Sequence, residues 1–278
     1  MKIDYTYGNT LLKIDHVSFS YGPKAVLRDL DAEVKDVIRP GCTTGQVIAI
    51  VGQSGRGKTT TFENLSGLMT PNSGQVLIPE ASGMGFRPVR VGDVGVVAQN
   101  YPLLAHRKVL GNLLVALEGS SPADGLPIER AKSSLEEFGL LDKIDSYPMA
   151  LSGGERQRVA IMQMLLRGQS IILMDEPFAS LDLVSIEKTC AAIAKAANAK
   201  ETNTIIVITH DISAAVAIAD HIWMLGFERD STGNPIPGAR IIETYDLLDK
   251  GLCYEPGIIT SDAALAMIKE IKDRFRSS

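Results

Sequence analysis

Apolar and polar positions alternate along residues 11–22, LLKIDHVSFSYG. Leu12 and Ile14 share one face, and after a break near Asp15 the alternation resumes at Val17 and Phe19. A period of two is the mark of a strand with one buried face. Residues 27–38, LRDLDAEVKDVI, alternate in the same way and are expected to form its antiparallel neighbour. Three later runs are almost wholly apolar: 46–51, 170–175 (SIILMD) and 204–209 (TIIVIT). Such runs suit strands covered on both faces, as in a parallel sheet. VGVVAQ at 94–99 and HIWML at 221–225 read as companions. Helical patterns at 58–68, 153–167 and 185–199 separate the strands, so a parallel α/β sheet with helices on both faces is expected.

Residues 100–150 break this rhythm. RKVLGNLLVALEG and IERAKSSLEEFGLL are amphipathic helical segments joined through SSPADGLP, and no strand is evident between them. The expected organisation is a single domain over 1–278. Its core comes from 10–99 and 151–225, a helical subdomain is inserted at 100–150, and 226–278 form a C-terminal tail. In the tail, FERDSTGNPIPGARIIET reads as a loop or a hairpin, and a helix is expected at 261–275. That helix mixes charges of both signs around an apolar stripe and is expected to cover the core rather than bind lipid.

Composition narrows the classes. With 28 basic and 33 acidic residues the formal charge is −5, which argues against nucleic acid as the main partner. Cys42, Cys190 and Cys253 form no C-x-x-C, so neither a zinc site nor a disulfide framework is indicated, and packing in a reducing cytosol is expected. The opening MKIDYTYGNT has no apolar signal region, and no run approaches the roughly 18 apolar residues of a membrane span. A role at a membrane is therefore expected to come through a partner.

The chemistry begins at GQSGRGKTT, residues 52–60. Gly52, four residues, then Gly57, Lys58 and Thr59 fit a phosphate-binding loop between a strand and a helix. Glycines let backbone N–H groups approach phosphate oxygens, and a helix opening here aims its dipole at the same anion. Gly52, Gln53, Ser54, Gly55, Arg56, Gly57, Lys58, Thr59 and Thr60 are the candidate cradle. IILMDEP ends an apolar strand in two carboxylates. Asp175 suits a Mg²⁺ ion held directly or through water, and Glu176 suits orienting or deprotonating a water. LSGGERQRVAI places Ser152 three residues before Glu155, a capping box, and Gly153 and Gly154 leave a donor-rich helix start.

Together LSGGE, the phosphate loop and ILMDEP resemble, in kind and order, the ATP-binding subunit of an ABC (ATP-binding cassette) transporter, over roughly residues 12–225. The resemblance implies the α/β P-loop ATPase fold, with an antiparallel β subdomain and an inserted helical subdomain. It implies an ATPase using ATP and Mg²⁺. Lys58 would hold the β- and γ-phosphates, Thr59 and Gln99 would ligate the metal with Asp175, and Glu176 and His210 would hold the attacking water. Tyr21 would stack on adenine. Ser152, Gly153 and Gly154 would cap the γ-phosphate of a second ATP-binding subunit, an identical one by expectation, and Asp182 in SLD would belong to the loop crossing to it.

Further partners implied are integral-membrane permease subunits and, indirectly, an extracytoplasmic solute-binding protein, with the chain peripheral at the cytoplasmic face of the inner membrane. NYPLLAHRKVL (100–110), with Tyr101, Pro102, Leu103 and Leu104, is the expected permease surface. DEPFASLD and VITHDISAAVAIADHIWML look closest to importers of the nitrate, sulfonate and taurine kind. A cassette for lipid or lipoprotein extraction, or for cell division, is the alternative. A soluble ATPase acting on DNA ends or ribosomes fits less well, because no sustained heptads separate the motifs. Three departures stand out: Arg56 replaces a small residue, Phe62–Asn64 make the next helix unusually polar, and the connection at 36–45 is long.

Overall fold

The computed structural model describes residues 4–39, 45–80, 83–118, 125–179, 181–252 and 260–277. The two alternating segments form β1 (Thr6–Tyr21) and β2 (Lys24–Ile38), paired antiparallel. The break near Asp15 is a bulge: the register slips between Ile14 and Val17, and His16 takes a φ of 49°. β1 also pairs with β4 (Ser73–Pro79), which pairs with β5 (Phe86–Pro88), giving the sheet order β2-β1-β4-β5.

The second sheet contains every apolar run. β3 (Gln46–Gly52), β6 (Gly95–Val97), β7 (Ile171–Asp175), β8 (Thr204–Thr209) and β9 (His221–Gly226) are parallel. β10 (Arg240–Asp246) returns antiparallel to β9, so the tail loop is a hairpin. The order is β10-β9-β3-β8-β7-β6.

Alternate residues of β3 divide the core. Ile48 and Ile50 join Leu12, Ile14, Leu30 and Phe62 on the side of the antiparallel sheet and α1 (Lys58–Leu65). Val47, Ala49 and Val51 face the opposite layer of α4 (Gly153–Leu166), α5 (Leu183–Asn198), α6 (Ile212–Ile218) and α7 (Asp262–Ser277). Helices thus lie on both faces, but on one of them α1 shares the space with a sheet. The inserted helices α2 (Val109–Ala116) and α3 (Pro127–Glu137) pack on α4, and Leu113 and Leu135 belong to the same apolar cluster as Val159 and Ile161. No helix among the described residues is long and apolar enough to cross a membrane. Burial pushes the Cys190 thiol up to about 12, as expected of a packing cysteine, while Cys42 and Cys253 lie outside the described residues.

A buried ion pair closes the N-terminal edge of the parallel sheet. Arg39 and Asp220, with side chains 4% and 0% exposed, bond to each other, and Arg39 donates to the Gly45 carbonyl at 3.0 Å. The Asp220 carboxylate also accepts the Val47 N–H at 2.7 Å. Asp220→Ala is expected to lower unfolding free energy by about 3–5 kcal/mol, because the buried Arg39 guanidinium then loses the Asp220 carboxylate. Urea unfolding of the two chains reads this directly. Residues 40–44 of the long connection lie outside the described residues.

Candidate functional site

Parallel register brings the C-terminal ends of the strands to one edge. Val51 lies opposite Thr209, Asp175 opposite Ile208, and Val97 opposite Met174. Side chains just beyond Gly52, Asp175, Thr209 and Val97 therefore share one sheet edge, the edge at which ligands of open α/β sheets bind.

β3 is buried throughout and leaves through residues 53–57. Gly55 and Gly57 have φ of 79° and 76°, a region costly for side chains with a Cβ. At Gly57 a Cβ would also meet Leu27 Cδ2 at 2.9 Å and the Val26 carbonyl at 3.2 Å. The start of β2 therefore seats the loop from behind. No side chain caps α1, so its first N–H groups stay open to an anion. The Lys58 ammonium donates to the Gly52 and Gln53 carbonyls at 2.9 and 3.4 Å. Ser54, Gly55 and Thr59 are exposed, whereas the Thr60 side chain is only 5% exposed and leaves its backbone N–H as the group it offers.

Glu176 takes a φ of 46° and donates its N–H to the Ile208 carbonyl at 2.7 Å. Its Oε2 accepts from the Thr209 hydroxyl at 3.2 Å and the His210 N–H at 3.2 Å, and meets His210 Nδ1 at 2.8 Å. Oε1 lies 3.5 Å from the Lys58 ammonium. Burial, then the neighbouring charge of Glu176, pushes the Asp175 carboxyl above the usual carboxylate range, against the pull of Lys58. Gln99 is exposed two residues past the end of β6, level with Glu176 two residues past Met174.

Tyr21 is 51% exposed at the β1–β2 turn, with its ring edge-on to Phe19 at 4.9 Å between centroids. Ser152 caps α4 in the expected capping box: its hydroxyl accepts the Glu155 N–H at 3.3 Å, and Glu155 accepts the Ser152 N–H at 2.7 Å. Gly153 has open space around it. Among the described residues no hydrogen bond or ion pair links Ser152, Gly153 or Gly154 to the Lys58–Glu176–His210 group. The structure thus brings together Lys58, Asp175, Glu176 and His210, with Gln99 beside them, and among the described residues gives Ser152, Gly153 and Gly154 no bond to this group.

Several side chains make contacts that the sequence did not show. The Arg56 guanidinium stacks over the Phe227 ring at 4.1 Å, a contact that neither a phosphate nor a solvated surface role anticipates. The Asp182 carboxylate caps α5, accepting the Ser185 N–H at 2.9 Å and hydroxyl at 2.8 Å, bonds that hold it below the usual carboxylate range. Ser180 of the same motif lies outside the described residues. Leu103 packs on the core while Pro102 and Leu104 are exposed, so only part of the expected permease surface is outward. Gln53 donates to the Phe275 carbonyl at the end of α7, and Lys272 donates to the Ser213 hydroxyl at 3.4 Å, so the tail helix also reaches the phosphate loop and α6. Thr209 escaped the sequence reading, although a polar residue ending an apolar strand beside His210 was its available signal.

Known proteins resemble this chain in sequence and in fold. A family model described as ABC transporter matches residues 37–179. The chain is 32% identical over 243 residues to the aliphatic sulfonates import ATP-binding protein SsuB of Mycobacterium sp. (strain MCS), covering 86% of this chain and 91% of that one. It is 31% identical over 218 residues to the putative 2-aminoethylphosphonate import ATP-binding protein PhnT of Salmonella paratyphi A, covering 78% of this chain but 57% of that relative's length. A dimeric ATP-binding cassette in a post-hydrolysis state, bound to ADP and Pi, superposes with a TM-score of 0.64 at 25% identity, covering 85% of this chain and 99% of that one. A lysine-bearing phosphate loop facing an Asp–Glu strand end, an LSGGE helix start and these relatives have one common explanation: the chain belongs to the ABC transporter family, as an ATP-hydrolysing, ATP-binding subunit.

Proposed function

We propose that the chain drives import of a small organic anion of the sulfonate kind by hydrolysing ATP beneath a membrane permease. The observation carrying the catalytic part is the meeting of Lys58, Asp175, Glu176 and His210 at one sheet edge. The 52–60 backbone and Lys58 hold the β- and γ-phosphates. Glu176 accepts the proton of the attacking water, and Thr209 and His210 hold the carboxylate so that it faces the phosphate. Tyr21 stacks on the adenine.

Thr59, Gln99 and Asp175 offer only oxygen donors, a set suited to Mg²⁺, and a cation favours the ionised form that burial disfavours at Asp175. Bound there, the ion supplies neutralisation of charge on the β- and γ-phosphates. The exposed Ser152 and the open space at Gly153, with no bond to their own chain's catalytic group among the described residues, support a role for Ser152, Gly153 and Gly154 across a dimer of identical chains. Asp182, as the cap of α5, fixes the loop that crosses between the subunits.

Pro102 and Leu104, next to exposed His106, Arg107 and Lys108, form the permease-facing surface, with Tyr101 and Leu103 anchoring it from beneath. The working location is the cytoplasmic face of the inner membrane, with a solute-binding protein delivering substrate on the other side. The likeness to SsuB favours sulfonates, and that to PhnT favours an aminoalkylphosphonate as the second reading. Deleting the gene should abolish uptake of labelled aliphatic sulfonates and spare nitrate and 2-aminoethylphosphonate. Loss of phosphonate uptake alone would establish the second reading, and unchanged uptake of all three would refute the importer assignment.

A further inference from the structure

Glu176 has to point its carboxylate from an unfavourable backbone. A φ of 46° in a residue with a Cβ persists only where neighbours hold it. On its N-terminal side the hold is the bond from its N–H to the Ile208 carbonyl at 2.7 Å. On its C-terminal side comes Pro177, which has no N–H and a fixed φ, so its carbonyl is the handle that remains.

That carbonyl accepts two hydrogen bonds from separate parts of the molecule. The Tyr101 hydroxyl donates at 3.3 Å from the segment leaving β6, two residues after Gln99. The Gln157 side-chain amide donates at 3.2 Å from α4, the helix capped by Ser152. Gln157 is 1% exposed, and its own carbonyl accepts the Thr189 hydroxyl of α5 at 3.0 Å. A chain of bonds from α5 through α4 thus meets a bond from the β6 exit on one oxygen, one residue from the catalytic carboxylate. Burial pushes the Tyr101 phenol up to about 12, so it stays a donor near neutral pH.

We propose that Tyr101 and Gln157 are positioning residues for Glu176, acting through the carbonyl of Pro177, with Thr189 fixing the Gln157 amide. The proposal rests on the reading of Glu176 as general base. Both carbonyl lone pairs are engaged, so loss of either donor lets the strained turn relax. A shift of about 1 Å in a catalytic group costs up to about 100-fold in rate, and loss of one of two holds costs less. The substrate phosphates bind elsewhere, at the 52–60 loop. The relay therefore acts on turnover and not on nucleotide affinity.

The test uses the full-length chain carrying Tyr101→Phe, which deletes only the hydroxyl, and separately Gln157→Met, which keeps the side-chain length. Phosphate release at 25 °C, MgATP affinity from a fluorescent analogue and thermal midpoint are measured for each, with Glu176→Gln alongside. Each positioning variant is expected to lose about 3- to 10-fold in kcat, with affinity within about 2-fold of the parent. Parental kcat in both variants, or a parallel loss of kcat and affinity, would overturn the relay. If Glu176→Gln is inactive while both variants turn over normally, the relay fails and the base assignment stands. If Glu176→Gln turns over at the parental rate, the base assignment itself fails. Gln157→Met keeps the question decidable should Tyr101→Phe not fold.

Discussion

Glu176→Gln is expected to reduce ATP turnover by about 10²- to 10³-fold while leaving MgATP affinity within about 3-fold of the parent. The substitution keeps the size of the side chain and an oxygen able to accept from Thr209 and His210, which lie 3.2 and 2.8 Å from Oε2. What it removes is basicity. An amide does not take up the proton that water must lose as it attacks phosphorus, and that loss corresponds to about 3–4 kcal/mol of barrier. Affinity is spared because the phosphate cradle and Lys58 are untouched, and loss of a negative charge 3.5 Å from the Lys58 ammonium does not weaken the pull on phosphate. Steady-state phosphate release combined with an equilibrium nucleotide titration separates the two quantities. Parental turnover would assign the base elsewhere.

Lys58→Ala should fail in the opposite order, with binding going first. The ammonium has its acceptors at the Gly52 and Gln53 carbonyls and the Glu176 carboxylate, at the mouth of the loop that receives the β- and γ-phosphates. A charge-assisted bond to phosphate contributes about 1.5–3 kcal/mol, so MgATP affinity should fall about 10- to 100-fold. The remaining charges worsen the loss, since Asp175 and Glu176 then face the phosphates with no nearby cation from Lys58. Lys58→Arg should not restore affinity, because a planar guanidinium does not fit a cradle shaped around a compact ammonium. Titration with a fluorescent ATP analogue is the measurement, and unchanged affinity would remove Lys58 from the phosphate site.

What the sequence revealed follows from how local each signal is. The strands of the parallel sheet are covered on both faces, so they write themselves as unbroken apolar runs, and all were legible. β4 and β5 were not, because Ser73–Pro79 buries little beyond Val76 and Ile78, and Phe86–Pro88 is three residues long with Pro88 at its end. α6 escaped because ISAAVAI has no polar face and only seven residues, so no helical period shows. The same division holds at the site. The phosphate loop, the Asp–Glu strand end and the capping box are contiguous motifs and carry their chemistry in their spacing. Arg56 on Phe227, Gln53 on Phe275 and the meeting of Tyr101 with Gln157 at Pro177 join residues that only the fold brings together. Asp182 illustrates a third case. Its position in the motif was legible, but its bonds to Ser185 belong to helix capping, which the family pattern does not distinguish from a contact to nucleotide or partner.

We propose that ATP joins two copies of this chain, the phosphate loop of each facing the LSGGE helix start of the other. Its most direct test is the mass in solution of the Glu176→Gln chain, by sedimentation velocity, with MgATP and with MgADP. A dimer is expected with MgATP and a monomer with MgADP, with a return to monomer in MgATP when Ser152→Phe is added to block the α4 start. A monomer in both nucleotides, or a dimer indifferent to Ser152→Phe, would contradict it.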